Sequence, residues 1–396
     1  MSIPALRFKE FSSDWEEKTL GDIGENIIGL TYSPSNITDD KSYPIVLRSS
    51  NIKNDMLDLN DQVRVKEKIP EKLFTNRDDI LICTRNGSQR LIGKNVLISN
   101  TEIPMTFGAF MSVYRSPFNK FMVHLFKTDN YNEQIQMNLG ARINQITTKN
   151  LNAFSFWFPS LQEQTKIANF LTAVDEKISL LTQKATLLSQ YKKGVMQQIF
   201  SQELRFKDDD GQEYPEWEER QADEVFMSVS NKNHNGDLPI LAATQDKGMI
   251  YREDSGLDIK SSESSVKSYK IVEKGDFVIS LRSFQGGIEY SNLMGICSPA
   301  YTVMKPKIEI NNGYFKAFLK KEDFIERLNG LVIGIRDGKQ ISYSAFATLT
   351  LPYPAIEEQT KIANFLTAID EKITTNQTQL NAVKQYKQGL LQQMFV

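Results

Sequence analysis

Two sets of hydrogen-bonding side chains could do recognition chemistry. The first comprises Arg48, Ser49, Asn51 and Lys53, then Arg85, Asn86, Ser88, Gln89 and Arg90, with Lys94 and Arg142 further on. The second comprises Thr244, Gln245 and Lys247, then Arg282, Ser283 and Gln285, and later Arg336, Lys339 and Gln340. These are the side chains that reach base edges and phosphates in nucleic acids. They sit among turn signals such as Asn86-Gly87 and Gly286-Gly287. Any single loop of this kind also suits ordinary solvated surface. Their recurrence at equivalent places in both halves makes them candidate DNA contacts. The net charge is −2, so such binding must work through local patches.

No catalytic motif accompanies them. The string nearest to a phosphate-binding loop, Gly87 to Asn95, has one residue too many and lacks the terminal hydroxyl. No dinucleotide fingerprint, nucleophile elbow or amino-methyltransferase string is present. His124 and His234 have no metal-ligand spacing to Cys83 or Cys297 and read as core or surface residues. Asp208-Asp209-Asp210-Gly211 lacks the alternation and closing Glu of a Ca²⁺ loop and reads as a solvated turn. The chain is therefore expected to be non-catalytic, with no metal or cofactor of its own. Two separated cysteines, no run of about 18 apolar residues and no apolar stretch behind Met1–Arg7 predict a reducing, cytoplasmic setting.

The elements that must carry these loops are set by a duplication. Residues 161–200 align without a gap on 356–395, an offset of 195, with 22 identities in 40 positions. Leu6-Arg7-Phe8-Lys9 recurs as Leu204-Arg205-Phe206-Lys207, and the segment around Trp15 as that around Trp217. In the first repeat Ile167, Leu171, Val174, Ile178, Leu181, Ala185 and Leu188 follow a heptad seam that continues to Val195 and Ile199. In the second the seam is Ile362, Leu366, Ile369, Ile373, Asn376, Leu380, Val383, Leu390 and Met394. Lys192 and Lys387 interrupt the two seams alike. Each repeat predicts a helix of about 60 Å. Ser160 to Glu163 fits a capping box, whereas Ala355 stands at the second cap. The acidic pair Glu357-Glu358 reads as complementing the helix dipole.

The spacing leaves parallel and antiparallel pairing open. Closed two-fold symmetry between duplicated units favours antiparallel. Asn376 either fixes register inside the seam or faces solvent. Between the helices, about 25–158 and 227–353, short apolar runs such as Ile80–Cys83, Val96–Ile98, Phe277–Ile279 and Tyr301–Val303 predict two copies of one β-rich fold. Cys83 and Cys297 read as small core residues. The expected class is α+β, two α/β domains joined and separated by two long antiparallel coiled-coil helices with pseudo-two-fold symmetry.

Trp15-Glu16-Glu17, the variable segments and the twice-repeated Glu-Gln-Thr-Lys-Ile-Ala-Asn-Phe-Leu and Asp-Glu-Lys-Ile helices resemble the specificity subunit of type I restriction-modification systems. The resemblance covers essentially the whole chain. It implies a first target recognition domain at 1–158 (opener 6–24), a central helix at 159–202, a second recognition domain at 203–353 (opener 204–226) and a C-terminal helix at 354–396. Each recognition domain would read one half of a bipartite site in double-stranded DNA. The helices would set the spacer and dock two methyltransferase subunits, which two restriction subunits then join. S-adenosylmethionine, ATP and Mg²⁺ would belong to those partners. The rival expectations are a coiled-coil scaffold whose end domains bind proteins, and a self-sufficient nuclease or methyltransferase.

Overall fold

The computed structural model describes residues 3–99, 101–139, 144–256, 263–331 and 341–396. The chain divides into two compact units, residues 1–182 with 378–396, and residues 183–377. The helix Leu161–Phe200 begins in the first unit and ends in the second, and the helix Ile356–Met394 runs from the second into the first.

In the first unit, strand Ile80–Cys83 is buried throughout, and its successive side chains enter different cores. Ile80 and Ile82 pack with Tyr114, Phe121 and Phe126, while Leu81 and Cys83 pack with Val46, Phe107 and Val113. Burial on both faces explains the unbroken apolar run. The strand sits in an antiparallel sheet of order Glu25–Ile28, Met111–Arg115, Ile80–Cys83, Asn95–Leu97. A second sheet, ordered Met105–Phe107, Ile45–Leu47, Arg64–Val65, Ile37–Thr38, builds one of the cores. Helices Asn119–Leu125 and Asp129–Asn138 build the other.

The second unit repeats this plan with other residues. Its main sheet is ordered Phe226–Val229, Thr302–Pro306, Phe277–Ile279, Glu289–Tyr290. Phe277 and Ile279 enter one core and Val278 another. Helices Asn312–Phe318 and Glu322–Gly330 cover the first core. Cys83 and Cys297 are buried, and burial pushes their thiols up to about 11 and about 12, so both stay protonated.

The repeated block at each helix start is a socket. Arg7 donates through Nε and Nη2 to the two carboxylate oxygens of Glu163, both at 2.7 Å, and Nη2 also reaches the Ser13 carbonyl. Arg205 holds Glu358 in the same way, at 3.2 and 2.8 Å, and Trp217 Nε1 adds a third donor at 2.9 Å. Both glutamate side chains are fully buried. Gln164 and Gln359 each donate to the carbonyl of the proline five residues back, at 2.8 Å. Phe8 meets Phe170 edge-on and Phe206 meets Phe365 likewise. Two expectations change here. Ser160 Oγ does accept from the Glu163 amide at 3.3 Å, but the Glu163 carboxylate is occupied by Arg7 and does not close a capping box. Glu358 likewise anchors the opener as well as standing at a helix start.

Within each unit the two long helices run antiparallel. In the first, Ile167 and Leu171 share a core with Leu390, Met394 and Phe395, and Lys387 reaches Asp175 at 2.6 Å. In the second, Val195 and Ile199 share a core with Ile362, Leu366 and Ile369, and Lys192 reaches Asp370 at 2.5 Å. The offset of 195 converts one ion pair into the other. The lysines that interrupt the seams are therefore cross-helix partners. Val174, Ile178, Leu188, Ile373 and Val383 are half-buried, and Leu181 and Leu380 are buried. Asn376 is 2% exposed, which removes the solvent-facing alternative.

His124, 3% exposed, packs beneath the first domain with Nε2 3.3 Å from Thr172 Oγ1 and Nδ1 3.7 Å from the Asp175 carboxylate. Burial, reinforced by Lys387, lowers its pKa to about 3 from an ordinary 6.5. The folded imidazole stays neutral where the unfolded one would take up a proton. This contribution is intact above pH 6.5 and is lost as pH falls towards 3, at up to about 1.4 kcal/mol per pH unit. Melting of the protein should therefore fall more steeply with acid than that of His124→Asn. Parallel slopes between pH 7 and 4 would refute this.

Candidate nucleic-acid interface

Three segments of the first unit converge. The Arg85 backbone bridges to Gln145, Asn86 N donates to the Asn144 carbonyl at 3.2 Å, and Asn144 Nδ2 returns to the Gly87 carbonyl at 3.0 Å. Asn86 Nδ2 reaches Ser49 Oγ at 3.0 Å, joining the 84–90 loop to the turn at 48–53. Asn86 Oδ1 accepts from Ser88 N, shaping the tip of the loop. Arg85, Ser88, Gln89 and Arg90 project as exposed side chains. Arg48 pairs with Asp61 at 2.7 Å, Lys53 pairs with Asp58 at 2.5 Å, and Lys94 is half-buried.

Asn51 is a correction. It is fully buried, and its amide accepts from Arg48 N while donating to the Asp58 and Asp61 carbonyls. It shapes the turn and has no free edge for a base.

The second unit assembles its set from two loops. The hairpin Leu241–Thr244 with Gly248–Tyr251 turns at Gln245 and Lys247, both exposed, while Thr244 Oγ1 donates inward to the Gly248 carbonyl at 2.9 Å. The short helix Ser283–Gly286 presents Arg282 and Gln285. Ser283 is the second correction. It is 1% exposed, and its Oγ accepts from Ser280 N at 2.9 Å, so it shapes the loop. Arg142, Arg336, Lys339 and Gln340 lie outside the described residues.

Sequence reasoning missed Phe110. Its ring is 55% exposed, Arg85 lies 5.0 Å above it, and its carbonyl accepts from Thr84 N and Arg85 N, both at 3.0 Å. An aromatic in the Gly108-Ala109-Phe110 turn between two strands was the available signal. Among the described residues no cluster of His, Cys, Asp and Glu could hold a metal ion. None of their helices is long and apolar enough to cross a membrane.

Two similar β-rich domains, each with polar loops at corresponding places and each socketed onto a long antiparallel helix pair, match one known class. The sequence profile of the type I restriction modification DNA specificity domain matches residues 12–190 and again 214–385, so the chain belongs to that family. The type I restriction enzyme MjaVIII specificity subunit of Methanocaldococcus jannaschii is 24% identical over 96% of this chain and 91% of its own. The type I restriction enzyme StySPI specificity subunit of Salmonella potsdam is 29% identical over 46% of this chain and 42% of its own. The crystal structure of the type I restriction-modification S subunit from M. genitalium superposes with a TM-score of 0.63 at 17% identity, covering 100% and 99% of the two chains. A chain from a structure of type I restriction-modification complex assembly superposes at 0.54 and 16% identity, covering 96% and 97%. Proteins of this class determine which DNA target a restriction-modification system acts on.

Proposed function

We infer that the segments 1–158 and 203–353 are two target recognition domains, each reading one half of an interrupted DNA site. The chain then acts without catalysis of its own, in a cytoplasmic complex. S-adenosylmethionine, ATP and Mg²⁺ are supplied by the methyltransferase and restriction subunits. The observation that carries this reading is the convergence of polar loops in each unit, Ser49 with Asn86 and Asn144 in one, Gln245 with Gly286 in the other. The exposed bases of choice are Arg85, Ser88, Gln89, Arg90 and Lys53 on the first half-site, and Gln245, Lys247, Arg282 and Gln285 on the second. Arg142, Arg336, Lys339 and Gln340 belong to the same sets by sequence position.

The long helices set the unread spacer in this reading and dock the partner subunits. Tyr191 and Tyr386, related by the 195-residue offset, are 53% and 55% exposed within identical Gln-Tyr-Lys strings. Two like surfaces suit two copies of one methyltransferase subunit. Exchanging residues 25–158 for the matching segment of another family member, in a complex with methyltransferase subunits, tests the assignment. Modified-base sequencing should show one half-site replaced and the other kept. Methylation at unchanged sites would overturn it.

A further inference from the structure

One lysine in each unit performs a job that the reading of bases leaves unexplained. Lys127 and Lys320 occupy the same place in the fold. Each is the second residue after a short helix, Asn119–Leu125 or Asn312–Phe318, and each precedes the next helix. Charged residues in such turns ordinarily face water. These two side chains are only 17% and 24% exposed.

Both ammonium groups end on the loops assigned above to DNA. Lys127 Nζ donates to Asp55 Oδ1 at 2.7 Å and to the Asn95 carbonyl at 2.9 Å. Asp55 is the tip of the hairpin formed by Ile52–Lys53 and Met56–Leu57, and Asn95 begins the strand that leaves the 84–94 loop. Lys320 Nζ donates to the Gly286 carbonyl at 2.8 Å and the Gln245 carbonyl at 3.2 Å, and lies 2.6 Å from Glu289 Oε2, a side chain 2% exposed. Gly286 and Gly287 let this loop close. A Cβ on Gly286 would fall 2.6 Å from Gln245 Cγ, and one on Gly287, at φ +77°, would fall 2.3 Å from the Leu319 carbonyl. Burial lowers the pKa of both lysines, and Asp55 and Glu289 act against it.

We propose that Lys127 and Lys320 are positioning residues that clasp, in each domain, two target-reading segments against each other and so set base selectivity for that half-site. The proposal rests on the functional reading above. A three-donor ammonium on backbone carbonyls suits this task, because it fixes where loops sit without depending on their side chains. Recognition loops can then vary in sequence while their placement persists. Neither lysine touches DNA.

The test uses the full chain in complex with its methyltransferase subunits, and genomic DNA read by modified-base sequencing. Lys320→Met should raise methylation at sites with one wrong base pair in the second domain's half-site by roughly tenfold relative to the cognate site, leaving the other half-site as stringent as before. Lys127→Met should relax the opposite half-site, and Lys320→Arg should retain selectivity. A uniform fall in methylation at all sites, or unchanged stringency in both halves, overturns the proposal. If the methionine variants do not assemble, Asp55→Asn and Glu289→Gln carry the test, since each keeps the lysine and removes its charged partner. Unchanged stringency in both of those variants also overturns it. Absence of any bipartite methylation by the unaltered complex would instead sink the functional reading.

Discussion

Arg7→Ala is expected to destabilise the first unit by about 3–5 kcal/mol, the usual cost of leaving a buried charge without its partner. Glu163 is fully enclosed, and both of its oxygens rest on the Arg7 guanidinium. An exposed pair would contribute no more than about 1 kcal/mol, so the prediction turns on burial. Arg205→Ala should cost less, because Trp217 Nε1 still donates to Glu358. Glu163→Gln retains one acceptor and removes the charge that Arg7 needs, and falls between. Calorimetry should resolve the two units, since a protein of this kind need not melt in one step. The transition of the first unit should drop by about 6–15 °C for a domain of this size. A shift below 2 °C in Arg7→Ala would show that the socket is ornamental.

A second large effect is geometric. Inserting one heptad after Lys184 and another after Gln379, its equivalent by the repeat, lengthens both helices by about 10 Å and keeps the seam in phase. The unread gap in the methylated sequence should widen by about 3 base pairs at 3.4 Å each, with both half-sites unchanged. A four-residue block adds about 6 Å but puts the seam out of phase, so a wider gap should come with weaker methylation. An unaltered gap after the heptad insertion would refute the ruler role.

Much of the frame was legible because duplication and periodicity are local properties of the sequence. The heptad pattern located helices at 161–200 and 356–395, and the structure has them at Leu161–Phe200 and Ile356–Met394. Ile80 to Cys83 read as a buried strand for the same reason. What escaped was decided by partners far away in the chain. Glu163 was readable as a cap until Arg7, 156 residues distant, took its carboxylate. Asn51 and Ser283 have the side chains of base readers but turn inward, because carbonyls and amides of their own loops claim them. Nothing in their neighbours' identities announces that inversion. Lys127 and Lys320 were invisible because burial of a cation depends on which carbonyls the fold gathers around it.

The paired charges Asp175–Lys387 and Lys192–Asp370 sit in otherwise oily seams, and this has an evolutionary corollary. Sliding one stalk past the other by a turn or two would strand all four ions opposite hydrocarbon, so intermediate alignments are forbidden ground. Lineages that alter the reach of this apparatus must therefore jump between discrete lengths, adding or deleting matched blocks, rather than drift.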